Sequence, residues 1–210
     1  MMKLGIIAAM QKEVRALAAA GIGKGVVLSG MGKVNAAMAA TELILSEHPQ
    51  YIINSGVAGS LNRNVNVGDV VIGTQTAYHD VWCGDPGNIA TMDGCPRYFQ
   101  ADKHLLSLAD NLSVNGSTIH KGLIITGDQF YISQQEDARQ LSLYPNALAC
   151  DMESAAIAQV CHHFNIPFLS IRVISDVHTS DNDQKESYTS FWEQAAHTSF
   201  QCLKQIIDNL

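Results

Sequence analysis

Charge is scarce in this sequence, paired cysteines are missing and no apolar run is long, and each lack removes a class of function. Charged residues make up 16% of the 210 positions, and the formal net charge is −7. Without a basic footprint, nucleic acid and anionic membrane surfaces are poor partners and a small molecule is the favoured one. No stretch approaches the roughly 20 apolar residues of a membrane helix. The opening run Met1 to Ile7 is too short for a signal peptide and reads as a first strand, so the expected location is the cytoplasm. The five cysteines, Cys83, Cys95, Cys150, Cys161 and Cys202, are odd in number and never spaced C-x-x-C, which suggests neither a disulfide framework nor a zinc site. The adjacent pair His162-His163 falls on an expected helix, where neighbours point about 100° apart and do not converge on one ion. No metal is expected. No Pro/Gly/Ser-rich linker, charge block, repeat or low-complexity segment divides the chain, so residues 1–210 are expected to form one domain.

What is present is apolar: hydrophobic residues reach 47%, which suits strands buried on both faces of a covered sheet. The pattern predicts strand Lys3 to Ala9, helix Gln11 to Ala20, strand Gly25 to Ser29, helix Lys33 to Ser46 and strand Tyr51 to Asn54. Further strands are expected at Asp69 to Gly73 and Thr76 to Tyr78, then a turn-rich loop from Trp82 to Pro96, helix Asp102 to Leu112 and strand Thr118 to Thr126. A final amphipathic helix spans about Thr189 to Asn209. Such alternation marks a parallel sheet with covering helices.

Two acidic residues close apolar runs on either side of one short helix. The run Ala147 to Cys150 leads into Asp151-Met152-Glu153 and the small-residue helix that starts at Ser154, and twenty-three positions beyond Glu153 the run Pro167 to Ile174 stops at Ser175-Asp176. Read as a βαβ unit, this brings both strand ends to one edge of a parallel sheet, where open α/β sheets bind ligands. Two carboxylates there can divide acid and base work. Capping and the helix dipole alone also favour acids at a helix start.

Two glycine-rich turns are expected at strand ends. Ser29-Gly30-Met31-Gly32-Lys33 begins like a dinucleotide fingerprint but has Asn35 where a third small residue belongs, and it fails as a P-loop because Val34 follows the lysine. Asn54 to Ser60 offers close backbone approach to a ligand.

Taken together, Gly5 to Met10 with Glu13, SGMGKVNAA from Ser29, INSGVAG from Ile53, TGDQF from Thr126, DMESAAIA from Asp151 and RVISD from Arg172 resemble the 5′-methylthioadenosine/S-adenosylhomocysteine nucleosidases of the nucleoside phosphorylase superfamily, in order over nearly the whole chain. The resemblance implies a three-layer α/β/α fold with a mostly parallel central sheet, usually a homodimer, that hydrolyses the N-glycosidic bond of an adenine nucleoside without metal or organic cofactor. It implies Asp176 as the acid at adenine N7, Ser175 as its orienting neighbour, and Glu13 as the base for the attacking water, with Arg172 near that water. Glu153 would accept the ribose hydroxyls and Met152 would pack on the sugar. Phe130 would stack on adenine with the backbone near Tyr131 reading its edge, and Met31 and Tyr188 would line the ribose and 5′ end. Ala58, Gly59, Cys150 and Asp151 complete the expected substrate contacts.

Four departures from the family pattern stand out: Val57 where a serine often helps hold the water, Asp151 in place of a more usual glutamate, a short connection at Gly21 to Leu28, and a dissimilar loop from Trp82 to Pro96. A phosphorylase of the same fold would need arginines for phosphate, and the segments Ala8 to Val14 and Asn54 to Ser60 have none. The same machinery would also serve an aminodeoxyfutalosine or futalosine nucleosidase, which differs in the 5′ group, and Val57 makes a weakly active nucleoside-binding protein a reading from a different class.

Overall fold

Strand β1 (Leu4–Ala8) turns straight into helix α1 (Gln11–Ala19), because Glu13 reaches back to the amides that open the helix. This computed structural model describes residues 3–23, 25–84, 91–92, 94–130, 134–177, 188–192 and 200–210. The remaining elements are β2 (Val26–Leu28), α2 (Lys33–Glu47), β3 (Tyr51–Ser60), β4 (Val70–Tyr78), β5 (Phe99–Gln100), α3 (Lys103–Leu108), β6 (Ile119–Thr126), α4 (Gln134–Leu143), β7 (Ala147–Asp151), α5 (Ser154–Phe164), β8 (Phe168–Val177) and α6 (Gln201–Asp208). Among the described residues no helix is long and apolar enough to cross a membrane.

The strands form one mixed sheet with helices on both sides, a three-layer α/β/α arrangement. On one face α1, α3 and α6 bury Ala16, Leu17, Leu105, Leu203 and Ile206 against Ile6, Ile53, Val70 and Ile171. On the other, α2 and α5 set Ala36, Ala40, Ala155 and Ala156 against Ile7 and Ile52, and these small side chains let the two helices lie close together. Where the chain leaves α2 and α5, His48 and Asn165 adopt left-handed conformations that end each helix.

Most pairings are parallel, but β4–β8, β4–β5 and β3–β7 are antiparallel. The expected parallel βαβ unit is therefore corrected: β7 and β8 are not neighbours. β8 lies between β3 and β4, whereas β7 pairs with β6 and with the end of β3. The two strand ends still meet, for a different reason. A register shift at Ala58/Gly59 lets Gly59 pair with Asp176 on β8 and with Cys150 on β7.

A second correction concerns Asn54 to Ser60, which is no turn: β3 runs on to Ser60. Its small residues serve proximity instead. A methyl group on Gly56 would collide with Arg172 Nη1 and lie 2.5 Å from Glu13 Oε1. The two strands expected around Asp69 and Thr76 are one strand with an irregularity at Gly73/Gln75. Helix α3 stops at Leu108, short of the expected Leu112, after Asp102 caps its start through the Leu105 amide. The Gly30 to Lys33 segment is a turn as expected, with Gly30 and Gly32 at φ 84° and 91°. Of the expected last helix, residues 193–199 lie outside the described residues, as do 85–90 and 93 of the Trp82 to Pro96 loop.

Candidate active site

The ends of β1, β3, β7 and β8, the Gly30 turn and the segment after β6 enclose a cavity of about 240 Å³, lined by Ala9, Met10, Glu13, Met31, Val57 to Gly59, Gln129, Phe130, Cys150 to Glu153, Ser175, Asp176 and Tyr188. Four of these residues are acids, and among the described residues none that lines it is basic.

Glu13 stands on the first turn of α1 and is 2% exposed. Its Oε2 accepts the Ala9 and Met10 amides at 2.8 Å each, and its Oε1 accepts the Val57 amide at 2.9 Å. Burial raises its pKa above the ordinary carboxylate value, against the opposing pull of Arg172 and the three amides. A fixed carboxylate with an elevated pKa is suited to taking a proton from water.

Across the cavity, Asp176 lies near the end of β8 and is 1% exposed. The Ser175 hydroxyl donates to its Oδ1 at 2.6 Å, a short bond that fixes the carboxyl plane. Glu153 sits at the start of α5, where the Gly32 amide donates to its Oε1 at 2.9 Å. Burial, together with the nearby Asp151, pushes Glu153 up to about 7 despite the Arg172 charge. Glu13 and Glu153 are thus each tied by backbone amides, the first through β3 and the start of α1 and the second through the Gly30 turn, and both feel the Arg172 charge.

Phe130 and Tyr188 close the mouth, their rings 5.3 Å apart at 69°, and the Tyr188 hydroxyl contacts Met10 Sδ at 3.6 Å. Met31 and Met152 add apolar lining. Tyr131 lies outside the described residues.

Arg172, expected near the attacking water and Glu13, does not line the cavity, but its Nη1 lies against Gly56 next to Glu13 Oε1 and its Nη2 is 3.8 Å from Glu153 Oε2. It is fully buried behind the wall, where its Nε lies 2.6 Å from Asp151 Oδ2 and its Nη2 donates to Asn54 Oδ1 and, at 3.1 Å, to Ser154 Oγ. Asp151, expected at the substrate, borders the cavity, but its carboxylate turns inward to Arg172, to the Ser154 hydroxyl and to Thr126 Oγ1 at 2.5 Å. The shorter acid in place of glutamate is the anchor of this cluster. His162 and His163 pack on different rings, Phe99 at 5.8 Å and Phe164 at 5.0 Å.

Ala9, Met10 and Gln129 also line the cavity, and the sequence pattern does not single them out. They lie inside the GIIAAM and TGDQF segments, and an alanine, a methionine and a glutamine give no chemical sign of a site.

Fold and site define a nucleoside phosphorylase-like protein, and the family model described as the Phosphorylase superfamily matches residues 20–208. The chain is 36% identical to the 5′-methylthioadenosine/S-adenosylhomocysteine nucleosidase of Bacillus cytotoxicus in a 232-position alignment covering all of both proteins. It belongs to the 5′-methylthioadenosine/S-adenosylhomocysteine nucleosidases of that superfamily. The Neisseria meningitidis nucleosidase, solved with methylthio-immucillin-A, matches with a TM-score of 0.90 and 33% identity over 100% of both chains. The Colwellia psychrerythraea enzyme, solved with adenine, matches at 0.88 and 31%, covering 100% of this chain and 96% of the other.

Proposed function

We propose that this protein hydrolyses the N-glycosidic bond of 5′-methylthioadenosine and S-adenosylhomocysteine, releasing adenine and the 5-thioribose product. The observation that carries the reading is that two buried, separately oriented carboxylates, Glu13 and Asp176, face one nucleoside-sized cavity. Cleavage leaves positive charge on the ribose and negative charge on the base, so it needs an acid at the base and negative groups near the sugar. Asp176, oriented by Ser175, gives its proton to adenine N7 as the C1′–N9 bond breaks. Water adds to C1′ and loses its proton to Glu13. Glu153 accepts the ribose hydroxyls, and Phe130 and Tyr188 cover the base and the 5′ end. Arg172 acts through Asp151 and through its field on Glu13.

Water is favoured over phosphate as the nucleophile. A phosphate dianion would meet Glu13, Glu153 and Asp176 with no basic residue among the described lining, while the Arg172 guanidinium stays behind Gly56, its Nε and Nη2 bound to Asp151, Asn54 and Ser154 and its charge already facing Glu13 and Glu153.

Within the same proposal the protein is a single nucleosidase domain over residues 1–210, a homodimer, and cytoplasmic. The homodimer is supported by one exposed apolar stripe on α2, Val34, Met38 and Leu45, continuous with exposed Met31 and Leu28. The cytoplasm is supported by five cysteines that are all free thiols. Light scattering on the wild type and on Met38→Asp tests the dimer, with a monomeric variant expected.

The enzymatic reading is tested by adenine release from both nucleosides in phosphate-free buffer. Turnover unchanged by added phosphate is expected. Turnover that depends on phosphate would mark a phosphorylase, and none at all a binding protein.

A further inference from the structure

The Gly30 turn resembles a phosphate-binding loop in its lysine, yet Lys33 Nζ is directed to carboxylates. It meets both oxygens of Asp80 at 2.8 and 2.7 Å and lies 3.9 Å from Asp128 Oδ2. The Lys33 backbone amide donates to Asp128 Oδ1 at 2.8 Å, and the Asp128 amide donates to Asp80 Oδ2 at 2.9 Å. Three segments distant in sequence are joined: the start of α2, the residues after β4 and the residues after β6.

The last of these carries Gln129 and Phe130, both on the cavity wall. The segment is also pressed flat from beneath, since a methyl group on Gly127 would collide with His79 Nε2 and lie 2.9 Å from Asp80 Cγ. On the far side of the turn, Gly32 holds Glu153. The dipeptide Gly32-Lys33 therefore ties one acid at the cavity and, through Asp128, the segment that carries Gln129 and Phe130.

We propose that Lys33, with Asp80 and Asp128, is a positioning residue that holds residues 127–130 against the cavity and so sets its affinity for the purine end of the substrate. The proposal rests on the nucleosidase reading. Without the ammonium, the Asp80 and Asp128 carboxylates repel each other, held close only by the hydrogen bond from the Asp128 amide to Asp80, and the segment relieves that repulsion by moving outward with Gln129 and Phe130. Glu13, Ser175 and Asp176 stand on α1 and β8, outside this network. The loss falls on interactions made equally in ground and transition states, which appear in KM and not in kcat.

The test is calorimetric titration of adenine, with KM and kcat for methylthioadenosine, on the wild type, Lys33→Met, Lys33→Arg and Lys33→Met/Asp80→Asn. Lys33→Met should raise the adenine Kd and KM together by about tenfold or more and change kcat by less than about threefold. Lys33→Arg should restore most of the affinity. Adding Asp80→Asn to Lys33→Met should restore part of it, because one of the two repelling charges is gone. A Lys33→Met enzyme with unchanged Kd and KM, lowered only in melting temperature, overturns the proposal, as does a fall in kcat at unchanged Kd. Should Lys33→Met fail to fold, Asp128→Asn decides in its place: a raised adenine Kd supports the proposal and an unchanged one overturns it. A wild type that neither binds adenine nor turns over would bring down the nucleosidase reading and this proposal with it, an outcome distinct from an active wild type and indifferent variants.

Discussion

Arg172 Nε lies 2.6 Å from Asp151 Oδ2, with side chains 0% and 1% exposed. The pair is the keel of the site: it joins β8 to β7 behind the cavity, with Ser154 and Asn54 sharing the guanidinium. Removing Asp151 alone would leave a buried cation without its closest counter-charge.

Asp151→Ala should therefore destabilise the protein by about 3–5 kcal/mol in urea unfolding. Arg172→Met should also be costly, and the double variant should lose far less than the sum of the two. Additive losses in that cycle would mean the pair is not coupled.

The burial of Glu153 sets opposite responses of activity and stability to pH. Its pKa is raised to about 7 from an ordinary 4.5. To accept ribose hydroxyls it must be ionised, so kcat/KM should fall as pH falls through about 7. For stability the sign reverses. The folded state binds the extra proton between the two values, so this group's contribution is lost as pH rises through that window. Glu153→Gln should be poorly active and should flatten that part of the stability curve. A kcat/KM profile level down to the ordinary carboxylate range would count against the ribose role.

Val57 donates its amide N–H to Glu13 at 2.9 Å and borders the cavity, with its side chain packed against the adjoining core. In the proposed mechanism a hydroxyl at this position would hold the attacking water, and a neutral hydrogen bond of ~0.5–1.5 kcal/mol acting on the nucleophile would raise kcat roughly 2- to 12-fold. Val57→Ser should show that gain with little change in KM. Unchanged or lower kcat would mean that the Ala9, Met10 and Val57 amides already order Glu13 and its water fully.

The local pattern is readable in the sequence because it follows from side-chain spacing. Strand β1, helices α1 and α2 and the β7–α5–β8 run fall where the apolar alternation puts them. The path of the sheet is not readable. Nothing in Ala147 to Asp151 or Phe168 to Val177 states that β8 inserts beside β4 or that β7 returns to Gly59, since the strands are buried and their polar residues, such as Ser170, Arg172 and Asp151, pair with side chains of other elements and name no strand partner. The glycines of Asn54 to Ser60 signal a turn, yet Gly56 is small because Glu13 and Arg172 crowd it from other elements. Short β5 and the polar helix α4 carry too little periodicity to be named from sequence.

The same limit applies to the site. Glu13, Glu153 and Asp176 are legible through the ordered motifs, and all three line one cavity. Arg172 is legible as a functional-looking cation, but its orientation depends on Asp151, Asn54 and Ser154, which three different strands and helices bring together.

The most direct measurement is kcat for methylthioadenosine on Asp176→Asn, with nucleoside affinity determined on the same preparation. The amide keeps the shape of the carboxyl group and its contact with Ser175 but cannot deliver a proton to N7, so kcat should fall by about 10²–10⁴ while affinity stays within about threefold of wild type. Near-wild-type kcat in that variant would contradict the account of the site.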